Sequence, residues 1–462
     1  MRISPILTLL AALFALVVVG LLGVQVVQPA RPLLADVSFS LSRITPNADG
    51  DSDLTEIRYT LHRTAQVTIA FTDRTTGARY VFRDSEIRPA DTYTVLFSGV
   101  VDGFTLPGET VEGQVERRLL PDGEYDWVVE AVGDGETMRA DGTLIIADGD
   151  PGLPLIEAFD VSPRVFTPNQ DGYDDRISVN LVLAKPARLT VYLEGANGVP
   201  YYIPERFEGR EPGEEGAHVF DYDGGVDNNT PPPPDGDYTL YAVAQDAVGQ
   251  RIRRSSPITI QDGGLPNAEI VAQQTGRTVT WTALPWDEAY FTDAETSGRA
   301  VDPPLDVQST QAVISMPQGD LLVFRLTVSN YGTTPLRTIG PWPGTVYQYD
   351  QTDAAMIPAA SREAISGAWR VGVQCERSES SYPWRWAIGP QSALTRVERE
   401  NETLWYLMPG QRVTVWGAVR MTRLIPTRNP QKCFAALIHE DVEIPPRQNR
   451  VGEIDVRLTP VS

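Results

Sequence analysis

Beyond residue 36 the chain alternates between apolar and polar positions. Ile57, Tyr59 and Leu61 fall on one face of a run whose other face carries Glu56, Arg58 and Thr60. Val67, Ile69 and Phe71 keep the same period, as do Tyr125, Trp127, Val129 and Ala131, then Leu189, Val191 and Leu193. Leu322, Phe324, Leu326 and Val328 follow, with Val413, Val415 and Val419 last. Successive side chains of a strand point to opposite sides, so a period of two predicts strands with one buried face. Each run is short and bounded by Gly, Pro, Asp or Asn, the residues that turns demand. The pattern predicts an all-β protein built as tandem β-sandwiches.

The N-terminus differs. Ile6 to Val27 is an apolar run with no charge, and Gln25 is its only strongly polar residue. As a helix it would span roughly 33 Å, enough for a bilayer core. Small-x-small exits for a signal peptidase are poor, because Gln28 lies two residues before Ala30 and Leu33 two before Ala35. The expectation is one N-terminal transmembrane helix within residues 1–36, a signal-anchor with a cytoplasmic N-terminus and an extracytoplasmic bulk. Cleavage would instead give a secreted protein.

Three markers recur in order. Ile44-Thr45-Pro46-Asn47-Ala48-Asp49-Gly50 is echoed by Phe166-Thr167-Pro168-Asn169-Gln170-Asp171-Gly172. Pro121-Asp122-Gly123-Glu124-Tyr125 is echoed by Pro234-Asp235-Gly236-Asp237-Tyr238. Ile146-Ala147-Asp148-Gly149 is echoed by Ile260-Gln261-Asp262-Gly263. A duplicated domain follows, with units at 37–150 and 151–264. Residues 265–462 lack the first two markers and form a third, different unit.

These markers resemble the FlgD-like family of Ig-like domains, first named for the flagellar hook-capping protein. Its opening loop, Ser/Thr-Pro-Asn-x-Asp-Gly-x-x-Asp, is matched at Thr45–Asp53 and Thr167–Asp175. Its closing Pro-Asp-Gly-x-Tyr turn is matched at Pro121–Tyr125 and Pro234–Tyr238. The second copy adds Asp246-Ala247-Val248-Gly249, and Phe220-Asp221-Tyr222-Asp223-Gly224 where the family has Trp-Asp-Gly. The resemblance covers roughly residues 37–262 and implies two Ig-like sandwiches. It implies no flagellar role, since hook-capping proteins carry no membrane anchor and this chain is expected to have one.

The opening loops hold the candidate metal ligands: Asn47, Asp49, Asp51 and Asp53, then Asn169, Asp171, Asp174 and Asp175. Closely spaced carboxylates with a Gly at the bend resemble the start of a calcium loop. The alternative is that these side chains cap their own backbone amides as Asx-turns. No other cofactor is expected.

The third unit holds eight of the nine tryptophans: Trp281, Trp286, Trp342, Trp369, Trp384, Trp386, Trp405 and Trp416. Trp384 and Trp386 should share a strand face, with Tyr382 joining them. An aromatic platform for sugar rings and the core of two packed sheets are both open readings. Val328-Ser329-Asn330-Tyr331-Gly332-Thr333 resembles a turn of extracellular Ig-like modules. The only two cysteines, Cys375 and Cys433, lie here. Export would pair them in a disulfide, whereas a reducing compartment would leave two buried thiols.

Composition narrows the function. A formal net charge of −22 repels phosphate backbones, so nucleic acid is not an expected partner. Of three histidines, His62 and His218 are expected on solvent faces, and His439-Glu440-Asp441 lacks the spacing of a metalloprotease helix. No nucleophile elbow, phosphate loop or dinucleotide fingerprint occurs. The expectation is a non-enzymatic, membrane-anchored surface protein whose Ig-like stalk presents a C-terminal binding domain to a surface protein or cell-wall polysaccharide. A carbohydrate-binding or accessory module of a surface enzyme system is the alternative.

Overall fold

The computed structural model describes residues 10–18, 31–206, 211–273, 276–283, 291, 312–353, 363–376, 378, 380–399 and 402–460. Of the apolar run expected to span a membrane, residues 10–18 are helical, and the rest lies outside the described residues. Among the described residues no helix is long and apolar enough to cross a membrane.

The first unit contains β1 (Leu34–Phe39), β2 (Arg43–Ile44), β3 (Thr55–Leu61), β4 (Ala65–Asp73), β5 (Arg79–Arg88), β6 (Asp91–Phe97), β7 (Val100–Asp102), β8 (Gln114–Leu119), β9 (Gly123–Gly133) and β10 (Glu136–Ile146). They form one sheet in the order β1-β3-β6 and another in the order β2-β10-β9-β4-β5. The alternating positions face inward: Ile57, Tyr59 and Leu61 meet Val67, Ile69 and Phe71 in one core with Tyr125, Trp127 and Val129.

The second unit contains β11 (Ile156–Ser162), β12 (Val165–Phe166), β13 (Ile177–Leu183), β14 (Arg188–Gly195), β15 (Pro200–Ile203), β16 (Gly216–Tyr222), β17 (Gly236–Gln245) and β18 (Arg251–Ile260). Its small sheet is β11-β13-β16, and its larger one runs β15-β14-β17-β18 with β12 parallel on β18. Strand for strand this repeats the first unit, including the parallel pairing of β2 on β10. The corners repeat too. Asp122 accepts the amides of Asp148 and Gly149 at 3.0 and 3.2 Å; Asp235 accepts those of Asp262 and Gly263 at 3.0 and 2.9 Å. Tyr125 and Tyr238 each donate their hydroxyl to the carbonyl four residues back, Pro121 and Pro234, at 2.7 Å.

One piece of the first unit has no counterpart in the second. The hairpin β7–β8 keeps Val101 in the first core but continues the second unit's sheet, pairing Val115 with Ile252 and Gln114 with Arg253. The expected boundary at residue 150 therefore divides the chain but not the sheets. Glu116 on the hairpin bridges Arg251 and Arg253 at 2.9 and 3.1 Å. Behind it, Lys185 joins Asp150 and Asp246, and Gln250 donates to the Asp150 and Gly152 carbonyls.

The third unit contains β19 (Ala268–Val271), β20 (Val279–Thr282), β21 (Val313–Pro317), β22 (Leu321–Asn330), β23 (Leu336–Thr338), β24 (Val346–Gln348), β25 (Trp369–Cys375), β26 (Trp384–Ala387), β27 (Thr395–Arg399), β28 (Glu402–Leu407), β29 (Arg412–Arg420), β30 (Gln431–His439) and β31 (Val451–Thr459). The sheets are β19-β22-β29-β24 with β20 on β22, β21-β31-β30-β25-β26, and β23-β28-β27. Cys375 and Cys433 form a disulfide between directly opposed positions of β25 and β30.

Candidate functional site

The two Asp-rich loops have the same internal wiring. Asn47 accepts the Asp49 amide and Asp49 accepts the Asp51 amide, at 3.0 and 2.8 Å. Asn169 and Asp171 repeat this with the amides of Asp171 and Tyr173, at 3.0 and 2.9 Å. Asp53 accepts from Asn47, Ala48 and Gly50; Asp175 accepts from Asn169, Asp171 and Gly172. Ala48 and Gln170 both take positive φ, as do Ser52 and Asp174. The carboxylates thus face backbone amides, the geometry of Asx-turns. Among the described residues no group of three His, Cys, Asp or Glu side chains could hold a metal. Asp51 and Asp174 are not equivalent, since the partners of those positions are Tyr173 and Ser52.

The loops differ in what they touch. The first is exposed. The second is seated in a socket of the third unit. Arg337 of β23, 2% exposed, donates to the carbonyls of Asp171, Ala364 and Ser366. Tyr406 of β28 donates its hydroxyl to Asp171 at 2.9 Å. His439 of β30, stacked on Trp369 at 4.4 Å, donates Nε2–H to the Gln170 carbonyl at 2.7 Å. Tyr173 bonds Glu402 at 2.5 Å, its ring faces Arg337 and Arg399, and Arg399 pairs with Asp174. A Cβ on Gly172 would stand 2.2 Å from the Ser366 carbonyl, and one on Gly367 2.4 Å from the Asp171 backbone. The close approach needs glycine on both sides.

Docking reverses the loop's electrostatics. In the first loop burial is slight, and the backbone amides outweigh it to hold Asp53 below the usual carboxylate range. In the second, burial, reinforced by the Asp171 charge, pushes Asp175 up to about 6 despite the same kind of amides. Burial also raises Asp171. It lowers His439 to about 4, consistent with a neutral imidazole donating to a carbonyl.

The tryptophan expectations separate. Trp384 and Trp386 are 1% and 0% exposed and lie in the core, so they form no platform for a ligand. Trp386 packs edge-on to Phe324 and Tyr347, and Gly417 lies so close beneath it that a Cβ there would be 2.4 Å away. Tyr382 does not share their face. Its φ of 46° breaks the alternation before β26 begins, and its ring packs instead with Phe434. Trp281, Trp369 and Trp416 are buried, while Trp342 and Trp405 meet edge-to-face half-buried at the surface. Trp286 lies outside the described residues.

The expectation for His218 also needs correction. His218 is buried, bonded to Glu205 at 2.5 Å and to the Glu214 carbonyl at 2.7 Å. Its neighbours on β13, β16 and the 205 bridge close over it. Asn330, in the turn singled out by sequence, is fully buried and bonds the Thr334 and Leu407 carbonyls at 2.9 Å. Beside His439, Glu440 belongs to a buried ion network: Arg370, fully buried, pairs with Asp353 at 2.5 Å, and Arg385 pairs with Glu440 at 2.5 Å. Sequence reasoning missed both the socket and this network. The one visible signal was Tyr173, an aromatic residue inside an otherwise acidic loop.

No family profile matches this chain, and no curated protein does either. Among solved structures it is similar to three N-terminal domains of the bacteriophage RB49 Highly Immunogenic Outer Capsid protein, at 10% identity over 92% of this chain and 99% of that one, with a TM-score of 0.20. A 1.5-MDa bacterial ice-binding adhesin gives 12% identity over 93% and 98%, with a TM-score of 0.18. A tetra-tandem repeat from the extending region of a large adhesion protein gives 10% over 87% and 80%, with a TM-score of 0.15. TM-scores of this size leave the architecture to rest on the strand pairing itself.

Proposed function

We propose that this chain is a non-enzymatic, membrane-anchored extracytoplasmic protein in which two FlgD-like sandwiches form a stiff spacer that presents the third unit. The observation that supports it is the construction of the two joints. Between the first and second units a hairpin adds to the neighbour's sheet. Between the second and third a loop is buried in a socket. Neither joint resembles the exposed, polar linker of a freely hinged protein. Stiffness holds a terminal domain at a set distance from a surface. The socket carboxylates and the Arg370 network are committed to structural partners. An alkaline phosphatase fusion after residue 40, expressed in a bacterium, should be active, and the full chain should stay with membranes after carbonate washing. An inactive fusion, or release of a shortened chain to the medium, would refute the anchored reading.

A further inference from the structure

The outer face of the second unit's large sheet carries a rung of three tyrosines. Tyr202 of β15 is directly opposite Tyr192 of β14, which is directly opposite Tyr241 of β17. The ring centroids are 5.8 and 5.3 Å apart, and Tyr202 is 65% exposed. The duplicate unit shows what this rung needs for folding alone. There the equivalent positions of β5, β4 and β9 are Val81, Ala70 and Val128, in the same register. The fold therefore does not require aromatic residues here, and the second unit has three on the outer face of its sheet, Tyr202 exposed and Tyr192 and Tyr241 half-buried.

Polar groups surround the rung. The face is hollowed into a shallow cleft of about 310 Å³, in which Arg188, Glu194 and Gln245 stand beside Tyr192 and Tyr202. Arg253 lies over Tyr241 at 4.8 Å and is itself oriented by Glu116 of the inserted hairpin. Aromatic faces with hydrogen-bonding groups at their edges suit a ligand that is apolar on its C–H faces and polar around its rim. Tyr192 and Tyr202 stand on adjacent strands about 5 Å apart, room for one sugar ring across them. A purely apolar partner would leave Arg188 and Glu194 unmatched, and a nucleic acid would meet a chain of net charge −22.

We infer that this face is a glycan-binding site, with Tyr192 and Tyr202 stacking on a sugar ring, Tyr241 backing them beneath Arg253, and Arg188, Glu194 and Gln245 bonding hydroxyls. The inference is independent of membrane anchoring. The test uses the full chain in detergent, retained on insoluble cellulose, chitin, xylan and peptidoglycan sacculi and applied to a glycan array. Replacing the rung by its duplicate's residues (Tyr192→Ala with Tyr202→Val and Tyr241→Val) should leave the melting temperature within a few degrees. It should weaken binding to the retained probe at least tenfold, and Arg188→Ala should weaken it severalfold. Binding to none of these probes, or equal binding by the triple variant, would overturn the site.

Discussion

Trp127 and Gly142 face each other across β9 and β10, so closely that a Cβ on Gly142 would stand 2.4 Å from the indole ring. In the second unit the same pair is Leu240 and Ser256. The smaller inward side chain is matched by a larger neighbour, which is compensation within one core volume. Gly142→Ala should therefore destabilise the first unit by about 1–3 kcal/mol. Adding Trp127→Leu should recover part of that loss, although Trp127→Leu alone should cost stability through the space it leaves. Urea unfolding of the two single variants and the double reads the coupling. Additive losses would mean that the two positions do not share a volume.

The loop-and-socket joint contains titrating groups with two opposite effects, the buried carboxyls of Asp175 and Asp171 against the buried imidazole of His439. Asp175, raised to about 6 against 3.8 in a free chain, takes up a proton on folding between pH 6 and 4, so acidification stabilises. His439, lowered to about 4 against 6.5, must lose one on folding between pH 6.5 and 4, so acidification destabilises. In the joint as it stands the histidine opposes the carboxyls, so stability should change less across this window than the carboxyls alone would make it. His439→Gln keeps a donor for the Gln170 carbonyl and removes one of the two effects. That variant should gain about 1–3 kcal/mol of stability as pH falls from 6.5 to 4. Melting curves over that range decide it; a profile as flat as the parent's would contradict the assignment.

The disulfide closes a loop with a sequence separation of 58. Chain entropy gives such a cross-link roughly 4 kcal/mol, set against the 5–15 kcal/mol typical of a domain. Reduction should lower the melting temperature of the third unit and leave the first two unaffected. Thiol titration of native protein should find no reactive thiol before reduction.

Chelator should not change the melting temperature, because Asp53 and Asp175 are each occupied by three backbone amides. Asp53→Ala should cost about 1–2 kcal/mol with or without chelator, as losing a capping side chain does. A calcium-dependent rise in melting temperature that Asp49→Ala abolishes would decide for the metal reading over the Asx-turn reading.

What could be read from sequence was what a single strand or turn determines. The alternation of Ile57, Tyr59 and Leu61, and the Asp-Gly corners with their tyrosines, depend on residues close along the chain. The sites depend on partners hundreds of residues away. Asp49 and Asp171 stand in nearly the same loop, and only the unseen socket distinguishes an exposed carboxylate from a buried one. Trp384 and Trp386 have the spacing of a platform, and that spacing serves a core equally well. The tyrosine rung was invisible for a related reason: Tyr192, Tyr202 and Tyr241 lie on three strands and become neighbours only through register.

The hairpin β7–β8 makes the two copies non-interchangeable. Duplicated modules are commonly regarded as cassettes that can be reordered, deleted or multiplied. Here the first copy carries a hairpin whose strand β8 pairs with the second through Gln114, Val115 and Arg117, so order is written into the pair. A third copy placed between them would separate the hairpin from its sheet. A chain cut after residue 150 would carry an orphaned edge into solvent, the kind of surface from which aggregates grow. Lineages that lengthened this protein would have had to duplicate the pair, or extend the chain beyond it.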